Sequence, residues 1–275
     1  MTYLWSVFTK PWAGLPGDEL GRLIAGLGFA GAEVPVRDTA YVTTATAEAE
    51  LPKFTKQLRA EGIEPISVAS DLTESVFAAC AAAGVPLIRI MAPLGDDGYA
   101  ASVRRNREQL EASVVLAERY DVQVGVQPHH GRFVSSTLGV LQLLDGLPER
   151  FRLVWDAAHD ALAGDDPAVT IELGAARLGI VNLKNAMYLE NADLENADLK
   201  NADPKNGRRW RTHFGQADEG LADWSAVHAA LVRAEYSGPV CLTAQYSDLT
   251  VSVEDRVRKD LQTAVTSWRR DPSRE

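Results

Sequence analysis

Two short stretches carry side chains suited to proton transfer or to metal binding. In VQVGVQPHHG (residues 122–131) an apolar alternation stops at Gln127, and His129 and His130 follow in a turn framed by proline and glycine. In FRLVWDAAHD (151–160) Asp156 ends an apolar run and His159 follows three residues later. If Asp156 ends a strand and His159 lies on the next turn, the two side chains converge on one point. There they either ligate a metal or form an oriented acid/base pair. The plain alternative is an aspartate helix cap beside a surface histidine. Adjacent extended residues point apart, so His129, two positions on from Gln127, is expected inward and His130 outward.

Three further positions complete the chemical inventory. Lys184 closes the run LGIVNLK, where a lysine binds a carbonyl or anionic oxygen, forms a Schiff base if desolvation lowers its pKa, or serves as an electrostatic anchor. Glu33, in GFAGAEVPVR, offers either a hydrogen bond to a substrate hydroxyl or a salt bridge to Arg37. His213, in RWRTHFGQ, is expected in the loop before the last helix, within reach of the barrel mouth, whereas His228 in WSAVHAAL is an ordinary helix residue. No G-x-S-x-G, C-x-x-C or H-E-x-x-H occurs, which leaves nucleophile-elbow hydrolase, thioredoxin-like and zincin chemistry without a motif.

The elements that must position these residues repeat. Eight short apolar or β-branched runs, at 3–8, 31–36, 64–70, 86–92, 122–127, 151–156, 178–184 and 239–246, alternate with segments of three- and four-residue apolar spacing. The latter include GDELGRLIAGLGF, ELPKFTKQLRAEG, ASVRRNREQLEASVVLAERY and ADWSAVHAALVRAEY. Glycines close several helices just before a strand, as in RAEGIEPISV and AAAGVPLIRI. Eight β-then-α units in 275 residues predict one closed (β/α)8 TIM barrel forming a single domain over 1–275. An open doubly wound sheet would want an early G-x-G-x-x-G or G-x-x-x-x-G-K-[ST], and neither occurs. Barrel enzymes carry their chemistry at the carboxyl ends of the strands, which singles out Glu33, Ser70, Asp71, Gln127 to His130, Asp156 to His159, Lys184, Gln245 and Tyr246. One segment breaks the rhythm: NADLE, NADLK and NADPK (191–205) repeat a five-residue unit, read as an insertion over about 189–207, either a surface decoration or a lid or docking loop on the catalytic face.

Composition narrows the function classes. The formal charge of −10 opposes sequence-independent binding to nucleic acid, and no apolar run is long enough to cross a membrane. The start, MTYLWSVFTKPW, lacks the pattern of a secretory signal, so the expected compartment is the cytoplasm. Cys80 and Cys241 sit in apolar settings (FAACAAAG and PVCLTA) and are expected to be buried free thiols.

Taken in order, GFAGAEV, the strand ending QPHHG, WDAAH, VNLKN, GQADEGLADWSAV and YSGPVCLTAQY resemble the sugar phosphate isomerase/epimerase superfamily, the xylose-isomerase-like TIM barrels that also include abasic-site endonucleases. The resemblance spans nearly the whole chain. It implies a (β/α)8 barrel and, commonly, a divalent metal held by Glu, Asp, His and Glu. Those ligands fall here on Gln127, Asp156, Asn182 and Gln245, with Thr243 as another register for the last, and only the aspartate is retained. His159 matches the histidine of the family's D-x-x-H. A paired-glutamate proton exchange is therefore unavailable, because an amide has no basic form near neutral pH. The expected cofactor is none, or one weakly bound Mn, Mg or Zn ion, and a relocated metal site would use His129, Asp156, His159 and His213.

The resulting expectation is an isomerase or epimerase acting on a sugar or keto-sugar by proton transfer next to a carbonyl. His129, Asp156, His159 and Lys184 are its catalytic groups, and Glu33, Gln127, Asn182, His213 and Gln245 contact the sugar-like small-molecule substrate. The alternatives are a lyase acting on oxidised sugars or glycosides, and a non-catalytic carbohydrate- or protein-binding barrel. Neither nucleic acid nor membrane is an expected partner; a homo-oligomer is compatible with the sequence.

Overall fold

The computed structural model describes residues 3–190 and 210–268. Eight parallel strands close into a barrel: β1 (Leu4–Phe8), β2 (Gly31–Pro35), β3 (Glu64–Ala69), β4 (Leu87–Met91), β5 (Gln123–Gln127), β6 (Phe151–Asp156), β7 (Leu178–Leu183) and, after an interruption, β10 (Pro239–Leu242), which pairs with both β1 and β7. The expected eight runs are all strands, with the last one ending at Leu242, four residues earlier than its apolar pattern suggests. The expected helices form as α1 (Gly17–Leu27), α2 (Ala47–Ala60), α4 (Tyr99–Tyr120) and α8 (Trp224–Arg233). They are joined by α3 (Glu74–Ala83), α5 (Thr137–Leu144), α6 (Ala157–Ala163), α7 (Pro167–Gly174) and α9 (Val253–Ser267). Gly62 and Gly84, at φ of +80° and +63°, turn α2 and α3 back into the barrel, a conformation open to glycine without a Cβ penalty.

Strand periodicity explains how one short strand serves two cores. Trp5, Val7, Val124, Val126, Trp155, Val181, Val240 and Leu242 pack outward against the helices. The alternate residues Leu4, Phe8, Leu87, Val154, Ile180 and Cys241 fill the barrel interior, together with Ile66 and Ala69 of β3. Two residues beyond this apolar layer, on the same inward parity, come Glu33, Arg89, Gln127, Asp156, Asn182 and Thr243, all buried. The barrel is thus plugged by hydrocarbon below and lined by polar groups at its carboxyl end. Gly125 makes the lower layer possible, because a Cβ there would lie 2.6 Å from Val154 Cγ2 and 2.9 Å from Leu87 Cδ2.

The interruption between β7 and β10 corrects one sequence reading. Residues on either side of the repeat form an antiparallel ribbon, β8 (Asn185–Glu190) with β9 (Trp210–Gly215), so His213 sits in a strand paired with Met187 and not in a loop. The repeat itself, 191–205, lies outside the described residues. Asn185 fastens the base of the ribbon: its amide donates to the carbonyls of Ala217 and Ala222, and its Oδ1 accepts from Ala222 N–H. Cys80 and Cys241 are buried free thiols, as expected. Among the described residues no helix is long and apolar enough to cross a membrane.

Candidate active site

A chain of hydrogen bonds crosses the carboxyl end of the barrel. Arg89 Nε donates to Glu33 Oε1 at 2.7 Å, and its Nη1 donates to Gln127 Oε1 at 2.6 Å. Gln127 Nε2 in turn donates to Asp156 Oδ2 at 2.7 Å, while Ser67 Oγ donates to Glu33 Oε1. Glu33 therefore pairs with Arg89, and the considered salt bridge to Arg37 does not form; a second strand position, two residues beyond Leu87 on the inward parity, supplies the cation. Gln127 meets one further hydrogen bond of this buried ion pair and Ser67 another, both Arg89 and Ser67 donating to Glu33 Oε1, while Glu33 Oε2 is buried without a partner among the described residues.

Asp156 performs both tasks weighed for it. As the residue before α6 it caps the helix, Oδ1 accepting from His159 N–H at 3.1 Å, while Oδ2 faces Gln127 and lies 3.5 Å from Lys184 Nζ. Burial alone would raise its pKa, but Lys184, His159 and the cap hold the carboxyl below the ordinary range.

Lys184 follows the last residue of β7 and is held by Trp224, whose indole donates to its carbonyl oxygen. Its Nζ lies 2.8 Å from His159 Nε2 and 3.4 Å from Gln245 Oε1, with the Phe214 ring centroid 5.1 Å away. The backbone N–H of His130 donates to His159 Nδ1 at 3.2 Å. Lys184 Nζ, 3.5 Å from Asp156 Oδ2, thus has an imidazole nitrogen, a carboxylate and an amide oxygen around it. Burial pushes the Lys184 pKa down, with Asp156 opposing the shift. Burial likewise drives His159 down to about 2, and burial with the nearby Lys184 drives His129 down to about 4.

His129 Nδ1 donates to the His130 carbonyl at 2.7 Å, leaving the lone pair on Nε2. Its ring packs 4.1 Å from that of His159 between centroids and lines a cavity of about 340 Å³. Lys10, Arg37, Arg89, Gln127, Asn182, Lys184, Thr243, Gln245 and Tyr246 also line it. After β10 the chain passes through Ala244 at φ +48°, and this left-handed residue ends the strand alternation, so the consecutive residues Thr243, Ala244, Gln245 and Tyr246 all line the cavity. Both polar atoms of the Asn182 side chain and the Thr243 hydroxyl are buried without a hydrogen-bond partner, aimed at this space. His130 lies behind, its ring 5.7 Å from that of Tyr188.

Of the sequence-derived candidates, the network thus gathers Glu33, Gln127, His129, Asp156, His159, Lys184 and Gln245, with Asn182 beside it. His213 stays apart: Phe214 faces Lys184 and His159, so strand alternation turns His213 to the opposite face of the ribbon. Its Nδ1 is buried and unpartnered there. Arg89, Arg37 and Lys10 were not singled out from the sequence. Arg89 had a legible signal, a charged residue at an inward position of the apolar strand LIRIM.

The donor set does not suit the divalent metal that the resemblance implies. Lys184 Nζ stands where Asp156, His159 and Gln245 converge, and a cation cannot share that point with an amino group. Among the described residues no group of three or more His, Cys, Asp or Glu side chains is disposed to hold a metal, and the relocated set His129, Asp156, His159 and His213 is not assembled.

A closed parallel barrel with a buried polar cluster at its carboxyl end places the chain among the (β/α)8 TIM barrels. Among these, the chain belongs to the xylose isomerase-like TIM barrel family, whose sequence model matches residues 22–267. The structure is similar to that of 3-keto-D-glucoside 4-epimerase from E. coli (TM-score 0.72, 15% identity, covering 96% of this chain and 100% of that one). It is also similar to D-allulose 3-epimerase from Methylomonas sp. (0.70, 13%, 96% and 98%) and to the probable 3-DHS dehydratase from Bacillus anthracis (0.67, 14%, 96% and 99%). No curated protein matches the chain in sequence.

Proposed function

We propose that the protein is an isomerase- or epimerase-like enzyme that moves a proton next to the carbonyl of a sugar-like substrate, with no step through a metal. The observation that carries this reading is the juxtaposition, in one cavity, of a histidine with a free lone pair (His129 Nε2) and a lysine amine with N–H groups to donate (Lys184 Nζ). His129 Nε2 takes the proton from the carbon beside the carbonyl. Lys184 donates an N–H to the carbonyl oxygen as negative charge develops there, in a site Phe214 helps to keep dry. Return of the proton to the former carbonyl carbon, with the hydroxyl proton passing by way of Lys184 to the former carbonyl oxygen, isomerises the substrate; delivery of a solvent proton to the opposite face of the original carbon epimerises it. Asp156 and His159 act behind the reacting atoms, holding Lys184 in place. The unpartnered amide of Asn182 and hydroxyl of Thr243 offer donors and acceptors to substrate hydroxyls, which supports a polyol over an apolar ligand.

The test is solvent deuterium incorporation, followed by proton NMR, into a panel of keto-sugars that includes D-fructose, L-sorbose and 2-keto-D-gluconate. The wild type is expected to exchange the hydrogen next to the carbonyl of at least one. His129→Ala and Asp156→Asn are each expected to slow that exchange about 100-fold or more while leaving the circular dichroism spectrum unchanged. Unaltered exchange in both variants would remove these residues from the mechanism. An accompanying loss of water across the panel would make the reaction a dehydration, with the same proton abstraction as its first step.

A further inference from the structure

The cavity that holds His129 and Lys184 has an unbalanced rim. Glu33 and Arg89 neutralise each other, and the Asp156 carboxylate lies behind Gln127, His159 and Lys184 and does not line the space. What remains facing the cavity is Arg37, half-buried, and Lys10, exposed, and neither side chain has a hydrogen bond or an ion pair with any described residue. No carboxylate is among the described residues lining it. Asp38 and Asp71 line a neighbouring cavity of about 460 Å³ that shares Arg37, Arg89 and Met91; Glu33 and Asp71 attract the Arg37 guanidinium through space, and neither forms an ion pair with it. Two cations whose side chains have no ion-pair partner among the described residues, at the mouth of a reaction cavity in a chain of net charge −10, single out this spot as the place for an anion.

We propose that the substrate is a sugar acid, a polyhydroxylated carbon chain bearing a carboxylate that docks on Arg37 with Lys10 beside it, while its hydroxyls take Asn182 and Thr243. This rests on the reading of the cavity as the reaction site. A planar guanidinium fork matches a carboxylate in two parallel hydrogen bonds. Phosphate is the poorer fit, because no glycine lines the cavity among the described residues and no backbone cradle is offered to it. The arrangement also orders the ligand: the anion at the rim, the hydroxyls along β7 and β10, and the carbonyl at Lys184. The reaction that supplies such a substrate is one that oxidises a sugar, since a carboxylate and a ketone on one carbon chain both stand above the oxidation level of the parent polyol.

The test is titration calorimetry of the full chain with matched pairs: D-glucuronate against D-glucose, D-galacturonate against D-galactose, and D-gluconate against D-glucitol, with D-glucose 6-phosphate as a separate arm. At least one acid is expected to bind about tenfold or more tightly than its neutral partner, with a preference that shrinks as salt is added. The preference is expected to vanish in Arg37→Gln, to weaken in Lys10→Gln and to survive in part in Arg37→Lys. Both side chains are unpaired among the described residues, so these variants retain the fold, which a melting curve checks. Equal binding of acids and neutral sugars, no binding of any acid, tighter binding of the phosphate, or an undiminished preference in the Arg37→Gln, Lys10→Gln double variant would each overturn the proposal. Binding is read without turnover, so the two readings fail separately. An acid that binds as expected but exchanges no proton overturns the catalytic reading alone, and exchange on a neutral keto-sugar with no acid preference overturns only this one.

Discussion

Asp156 and His159 show how much one pair of side chains can be asked to do. The carboxylate caps α6 through Oδ1, so the local rule that places aspartate before a helix is satisfied, yet Oδ2 is left to face Gln127 and Lys184. The D-x-x-H spacing was legible in the chain, and its two meanings turn out to be compatible. The pairing of Glu33 with Arg89 was not legible, because the partners are 56 residues apart. Removing one member of that pair leaves the other charged and buried. Arg89→Met is therefore expected to cost about 3–5 kcal/mol in urea unfolding, and adding Glu33→Gln is expected to recover a substantial part of it. Equal stability of Arg89→Met and wild type would mean that Glu33 is not charged in the folded protein.

Among the elements, the strands were the most readable, because most of them alternate between a helix-facing and an interior-facing set, β3 departing from it with Ile66 and Ala69 both inside. Gly125 illustrates the constraint this puts on the interior. A methyl group there meets Val154 and Leu87 well inside contact distance, so Gly125→Ala is expected to destabilise the barrel by about 1–3 kcal/mol. Trimming the obstructing residue, Val154→Ala, is expected to make the double variant more stable than the sum of the two single losses, measured by a double-mutant cycle. Additive losses would show that the two side chains do not meet. The ribbon of β8 and β9 was missed: RWRTHFG carries too few apolar residues to read as a strand, and its hydrogen bonds go to a partner on the far side of the repeat. That pairing decides the aim of His213, which no count of residues along the chain could supply.

For the molecule as a whole, the helices on one side of the barrel are joined through a buried acid. Asp160 accepts from Thr137 at the start of α5 and from Thr170 of α7, and burial raises its pKa from 3.8 to about 6. The folded state thus holds this proton more tightly than the unfolded one. The stability it contributes is fully present below about pH 3.8 and is lost as pH rises through about 6. Asp160→Asn lacks this dependence, so its unfolding free energy relative to wild type is expected to climb by up to about 3 kcal/mol between pH 4 and pH 7. A difference that stays flat over that range would show the carboxyl to be unperturbed.

Barrel closure, strand order of appearance and the residues at the strand ends were all readable in the chain, because hydrophobic periodicity and turn chemistry act over a few neighbouring residues and repeat eight times. The protonation pattern of the site was not. That Lys184 stands at the convergence of Asp156, His159 and Gln245, that His130 points its backbone N–H at His159 Nδ1, and that the Arg37 and Lys10 side chains have no partner among the described residues depend on groups brought together from separate strands and loops. Charge, burial and hydrogen-bond partners are properties of the assembled barrel mouth, where low dielectric makes each neighbour count, and they come into being only when closure brings β1 and β10 side by side.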